Sequence, residues 1–162
     1  MRHAKAEPFA ATDHARRLTD RGTADARDAG RHLHRHGLVP DFVLVSSAVR
    51  TRQTWSAVTE SLQVPEDVVT YDDAVFTGSA EVALESLRGA PEGAATVMFV
   101  GHNPTAADLC HLLDDGEGDP GPMSGLLRGF PPGALAILEL AAPWTTLGPE
   151  SGRVVGYHVG RS

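Results

Sequence analysis

Cysteine is almost absent: Cys110 is the only one in 162 residues, which excludes an internal disulfide and a cysteine-built metal cluster. It sits in the apolar pattern Leu109-Cys110-His111-Leu112-Leu113 and is expected to be a small buried thiol. Lysine is equally scarce, with Lys5 alone, so positive charge is carried by arginine. No window holds the roughly 18 apolar residues that a membrane-spanning helix needs. No basic start leads into an apolar stretch of the kind that directs secretion. A cytoplasmic protein is therefore expected. The formal net charge is −7, which argues against nucleic acid or an anionic membrane as the main partner.

What is present is ordinary in bulk. With 41% hydrophobic and 22% charged residues, the chain is expected to form one domain over 1–162 with a sizeable core. The informative stretches are two short apolar runs, each continued by a block of polar and basic residues. Phe42-Val43-Leu44-Val45 leads into Ser46-Ser47-Ala48-Val49-Arg50-Thr51, and Thr96-Val97-Met98-Phe99-Val100 leads into Gly101-His102-Asn103-Pro104. Short β-rich runs followed by helical patterns read as strands of a parallel α/β sheet. Ligands of such sheets bind beyond the carboxyl ends of the strands, which puts Arg50 and His102 on one rim. If Arg2-His3 also ends a strand, four basic side chains converge on one pocket, a phosphate site in a protein whose overall charge is negative.

The blocks Arg2-His3-Ala4-Lys5-Ala6-Glu7, Arg16-Arg17-Leu18-Thr19-Asp20-Arg21-Gly22, Ser46-Ser47-Ala48-Val49-Arg50-Thr51-Arg52-Gln53-Thr54 and Gly101-His102-Asn103-Pro104 stand in an order and spacing that resemble the histidine phosphatase superfamily. The likeness is greatest to its small SixA-type phosphohistidine phosphatase branch and runs from residue 2 to about residue 140. It implies a three-layer α/β/α fold with a mostly parallel central sheet, like that of phosphoglycerate mutase. It also implies several apolar residues before the Arg-His pair, where this sequence has only Met1, so the first strand is expected to be missing or truncated.

Along the chain, residues 8–17 read as a loop and Thr19 as the cap of a helix over about 22–36, with Ala26, Ala29 and Leu33 on one side. Gly37 ends that helix, and Pro40-Asp41 turns into the strand at Phe42. A second helix over about 51–62 places Trp55, Val58 and Leu62 on one face. A short strand is expected at 68–71, a loop at 72–78, and a helix from Ser79 to about Leu87 with Val82 and Leu87 in the core. Asn103 as N-cap and Pro104 at the first helical position predict a helix to about Leu113. Residues 114–121 read as a solvated acidic loop, since no calcium-binding register fits them. Strands are expected at 134–140 and 154–159. His32, His34 and His36 read as a solvated helical face, because no metal-binding pattern accompanies them.

Phosphoryl transfer depends on positioning and on neutralising three charged oxygens. Arginine binds two oxygens with one planar fork, so Arg2 and Arg50 are the candidate phosphate clamps. The resemblance makes His3 the nucleophile, through a phosphohistidine intermediate, and His102 a second histidine on the phosphate. Arg16 and Asn103 are candidate substrate contacts. Members that cleave phosphate esters use a carboxylic acid to protonate the leaving alkoxide, and here Asp72 and Asp73 are the candidates. An imidazole leaves far more readily, which suits a phosphohistidine substrate. Three readings stand: a phosphatase acting on phosphohistidine in proteins, a phosphatase of small phosphate esters, and a non-catalytic phosphate-binding module. None calls for a cofactor or a metal. The partner is a phosphorylated protein or a small phosphorylated substrate, and the oligomeric state is left open.

Overall fold

Side chains alternate across β1 (Phe42–Ser46), and the alternation sorts the molecule into layers. Val43 and Val45 pack with Ala26, Ala29, Leu33, Trp55 and Val58, whereas Leu44 packs with Val75, Leu84, Phe99 and Leu109. The computed structural model describes residues 1–160. Two helices cover the first face of β1: α1 (Asp20–Arg35) and α2 (Val49–Thr59). Next in chain order are β2 (Val69–Asp72), the short α3 (Ala74–Thr77), α4 (Ala80–Arg88), β3 (Val97–Val100), α5 (Thr105–Leu113), α6 (Pro120–Leu127), β4 (Ala134–Leu140) and β5 (Gly152–Val159). Helices α4 and α5 cover the second face, and the fold is the expected mixed α/β arrangement.

The strands β2-β1-β3 form a parallel sheet, with Val43 opposite Val69 on one side and Met98 on the other. β4 and β5 form an antiparallel pair. Met1–His3 connects the two. Arg2 forms a parallel bridge with Gly101, Gly101 N donates to Met1 O (3.0 Å), His3 N donates to Gly101 O (2.9 Å), and Arg2 N donates to Ala134 O (2.9 Å). The Met1 amine donates to Phe99 O at 2.8 Å, and burial lowers its pKa to about 6. Met1–His3 thus joins the ladder through a single parallel bridge. Toward the amino end of β3, an open cavity of about 1230 Å³ with mixed polar and apolar walls extends from Met1 along Val97–Phe99 and Leu135–Leu140.

Helix α1 is capped as its sequence predicts, with Thr19 Oγ1 accepting from Gly22 N (2.9 Å), and it ends before Gly37, whose φ of +66° suits glycine. Other expectations need correction. Val82 is exposed, because the buried stripe of α4 is Ala80, Ala83, Leu84 and Leu87, at intervals of three and four. Pro104, not Asn103, takes the cap position of α5, and the Asn103 amide turns instead to a distant carbonyl. Helix α6 was not anticipated in its Gly- and Pro-rich stretch. It carries Pro in its first turn, where no backbone donor is lost, and it packs on β5. Residues 74–77, expected as loop, form α3. His32 is not simply solvated: it stacks on His158 (centroids 4.2 Å apart) and lies beside His36 at 4.3 Å.

Candidate active site

The three segments that end at the carboxyl rim of the sheet each deliver one or two basic groups. The ladder around Arg2 fixes the backbone of His3, and Ala4 N then donates to Thr54 Oγ1 (3.0 Å) on α2. Thr51 Oγ1 donates to the carbonyls of Ser46 and Ala48, both at 2.7 Å, which holds the turn from β1 into α2 and sets Arg50 on the first turn of that helix. β3 ends at Val100, and Gly101 and His102 come directly after it. Arg50, His3 and His102 are all buried, at 5%, 8% and 8% exposure, in a place where charge is costly unless partnered.

Arg50 Nε donates toward His3 Nε2 at 3.3 Å. His3 Nδ1 lies 2.8 Å from the Ala4 carbonyl. A carbonyl only accepts, so Nδ1 carries the proton and the Nε2 lone pair is the one that faces Arg50. The His102 ring lies 5.3 Å from that of His3, and its Nε2 is 2.7 Å from Ser46 Oγ. Among the described residues, His102 Nδ1 and Arg2 Nε are buried without a hydrogen-bond partner. Arg2 Nη1 and Asn103 Nδ2 both donate to Phe130 O, at 2.9 and 3.0 Å.

Burial keeps both imidazoles neutral. It drives the His3 pKa down to about 4, assisted by Arg50, Arg2 and Arg16 and opposed by the bond to Ala4. The His102 pKa falls to about 3, through burial first and then the charges of Arg50 and His3. Neutral nitrogen beside fixed guanidinium charge is an arrangement suited to accepting an electrophilic, anionic group.

Of the residues singled out from sequence, Arg2, His3, Arg50 and His102 are brought together. Asn103 lies at the edge, on the same carbonyl as Arg2. Arg16 reaches the group through Asp13: its Nε donates to Glu7 O (2.7 Å) and its Nη1 to Asp13 Oδ1 (2.9 Å). Asp72 is engaged elsewhere, with Oδ1 accepting from Ala74 N (2.8 Å) and Oδ2 from Ser86 Oγ (3.4 Å), and Asp73 is exposed ahead of α3. Sequence reasoning missed Asp13, which binds Arg50, and Ser46, which binds His102. It also missed His14, bonded to Ser47 Oγ (3.0 Å), and Phe76, whose ring edge-packs on His14 and His102. Ser46 lay inside a recognised block. Asp13 lay in an aperiodic loop 37 residues from Arg50, with no local signal to mark it. Among the described residues no group of three or more His, Cys, Asp or Glu could hold a metal ion, and no helix is long and apolar enough to cross a membrane.

No family model matches the chain. It is 30% identical over 121 residues to the phosphohistidine phosphatase SixA of Escherichia coli, spanning 74% of this chain and 75% of that one. It superposes on a protein from Nakamurella multipartitia, provisionally named phosphohistidine phosphatase SixA, with a TM-score of 0.86 and 31% identity, over 100% of this chain and 94% of that one. A protein histidine phosphatase SixA complexed with tungstate matches with a TM-score of 0.81 and 25% identity, over 99% of this chain and 94% of the other. Sequence kinship, shared fold and the four-block pattern agree: this chain belongs to the SixA branch of the histidine phosphatase superfamily and is a histidine phosphatase.

Proposed function

We propose that the chain removes the phosphoryl group from phosphohistidine in proteins by passing it through His3. The observation that carries this reading is the one unprotonated nitrogen of His3, Nε2, which accepts from Arg50 Nε at 3.3 Å while Nδ1–H is committed to Ala4. In the first step the Nε2 lone pair attacks phosphorus, and the phosphorus–nitrogen bond of the substrate breaks. Its electron pair leaves with the substrate imidazole, which departs neutral because its other nitrogen is protonated. In the second step water attacks the phosphoryl group on His3, His3 Nε2 recovers its electron pair, and phosphate leaves with the proton of the water passing to solvent.

Arg2 and Arg50 neutralise the non-bridging oxygens as charge gathers on them. Removing one such donor typically costs about 100- to 1000-fold in turnover. The Ser46 hydroxyl, donating to His102 Nε2, would fix that ring beside His3 in the tautomer protonated at Nδ1. That a SixA relative forms a complex with tungstate, an oxyanion, supports an anion-binding role for a protein of this fold. Preference for phosphohistidine is supported by the carboxylates. Asp72 is occupied in a turn, and Asp13 is held ionised by Arg16 and Arg50, which lower its pKa. Neither is placed to give an alkoxide its proton.

The test is incubation with a phosphohistidine-bearing protein, with a phosphoserine protein and a His3→Ala chain as controls. The expected result is loss of phosphohistidine alone, absent in the variant. An acid-labile phosphoryl group should be trapped on the peptide that contains His3. Turnover of phosphoserine or of small esters at a comparable rate would move the assignment to a general phosphatase. Binding of phosphate with no trapped intermediate and no turnover would make the site a binding module.

A further inference from the structure

A guanidinium has five N–H donors, and those of Arg50 are divided between two sides. Its Nη1 donates to the Asp13 carbonyl at 2.6 Å, its Nη2 to Asp13 Oδ2 at 3.0 Å, and its Nε faces His3 Nε2. The outer fork is thus taken up by one residue, through both its backbone and its side chain. The edge that includes Nε is left for the pocket. The other oxygen of the same carboxylate holds Arg16 Nη1 at 2.9 Å. The Arg50 side chain is 7% exposed and that of Asp13 58%, so the carboxylate sits at the mouth with the guanidinium behind it. The loop that carries Asp13 is itself pinned: Val49 N donates to His14 O (3.0 Å), and Glu7 N donates to Arg17 O (2.8 Å).

From this geometry we infer that Asp13 is a positioning residue for phosphoryl transfer: it grips the outer fork of Arg50 so that the inner edge meets the phosphoryl oxygens beside His3. The inference rests on the phosphatase reading above. It accounts for a carboxylate standing at an anion site, where simple charge would disfavour it. The repulsion between Asp13 and an incoming phosphoryl group is offset by its two arginine partners, and the return is a fixed clamp. Arginine is a flexible side chain, and a reacting group displaced by about 1 Å can lose about 100-fold in rate.

The test uses Asp13→Ala, Arg50→Lys and the double variant, each checked for an unchanged urea unfolding transition. Two readouts are taken, turnover of a phosphohistidine protein and inhibition by orthovanadate. Asp13→Ala should lower kcat/KM about 10- to 100-fold and weaken vanadate inhibition in step. In the Arg50→Lys background the same change should cost less than about threefold, because one lysine nitrogen cannot present two edges. Equal losses in both backgrounds would overturn the inference, since Asp13 would not be acting through the guanidinium. Loss of turnover with vanadate inhibition unchanged would also overturn it and make Asp13 a proton carrier. If the unsubstituted chain fails to turn over phosphohistidine, the functional reading fails by itself. Direct binding of orthovanadate, titrated calorimetrically on the same variants, then still decides the role of Asp13: equal weakening by Asp13→Ala in both backgrounds overturns the inference.

Discussion

Ser46 Oγ and His102 Nε2 stand 2.7 Å apart, both buried, across the 56 residues that separate the end of β1 from the segment beyond β3. The hydroxyl orients the second histidine of the site and satisfies a nitrogen that water cannot reach. Ser46→Ala should therefore cost about 1–3 kcal/mol of stability, seen as a lower urea midpoint, by leaving that nitrogen unpaired. Turnover should fall about 10-fold or more. An unchanged turnover would mean that His102 needs no orientation from β1.

Acid should weaken the fold through the site itself. His3 and His102 have folded-state pKa values of about 4 and about 3, below the usual histidine value of 6.5. Between those limits the unfolded chain binds protons that the folded one refuses, so stability rises with pH there. It is fully present above about 6.5 and is lost as pH falls toward 4 and 3. The Met1 amine, lowered from 8.0 to about 6, acts in the same direction at higher pH. Urea midpoints measured from pH 8 to pH 4 should decline steadily, and His102→Gln should flatten the acid part of that curve. Ring signals of His3, followed by NMR, should titrate near 4.

Asp72→Asn and Asp73→Asn should leave phosphohistidine turnover within about threefold of the unsubstituted chain. Asp72 serves the turn into α3, and an asparagine carbonyl can accept from Ala74 N in its place. A large loss in either variant, with the fold intact, would restore a general acid to the mechanism.

Gly22→Ala tests how the loop before α1 is held. A β-carbon at Gly22 would collide with the Lys5 carbonyl, which also accepts from Thr19 N at 3.0 Å. Overpacking against backbone costs about 1–3 kcal/mol. A lower Tm is expected, together with weaker vanadate inhibition, because Lys5 comes two residues after the nucleophile. Loss of stability alone would show that the strain stays within α1.

The parts of this molecule that could be read from sequence are those fixed by local pattern. β1 and β3 announced themselves as short β-rich runs, β4 as an apolar run, and α1 by Thr19 and Gly37 at its ends. Arg2, His3, Arg50 and His102 lay in blocks whose strand-end placement brings them together. Helix α6 was hidden because its Gly and Pro residues carry little helical propensity, and only packing on β5 makes it a helix. Val82 was misread because a single valine does not reveal which stripe of α4 is buried. Asp13, Ser46 and the Phe130 carbonyl escaped because their roles exist only through contacts between distant segments, for which the chain carries no periodic signal.

The Phe130 carbonyl holds Arg2 and Asn103 together, and it lies just beyond α6, where Gly125 and Leu126 are the buried residues. One arm of the active site is therefore hung from a helix whose Gly and Pro residues give it little intrinsic hold on its own conformation. Segments of this kind open locally at lower free energy than the core. On gradual warming, catalytic competence should fade while the bulk circular-dichroism signal of α1, α2 and the parallel sheet is still intact. The working limit of this enzyme should then fall below its melting temperature, which activity and circular dichroism followed on the same thermal ramp would check.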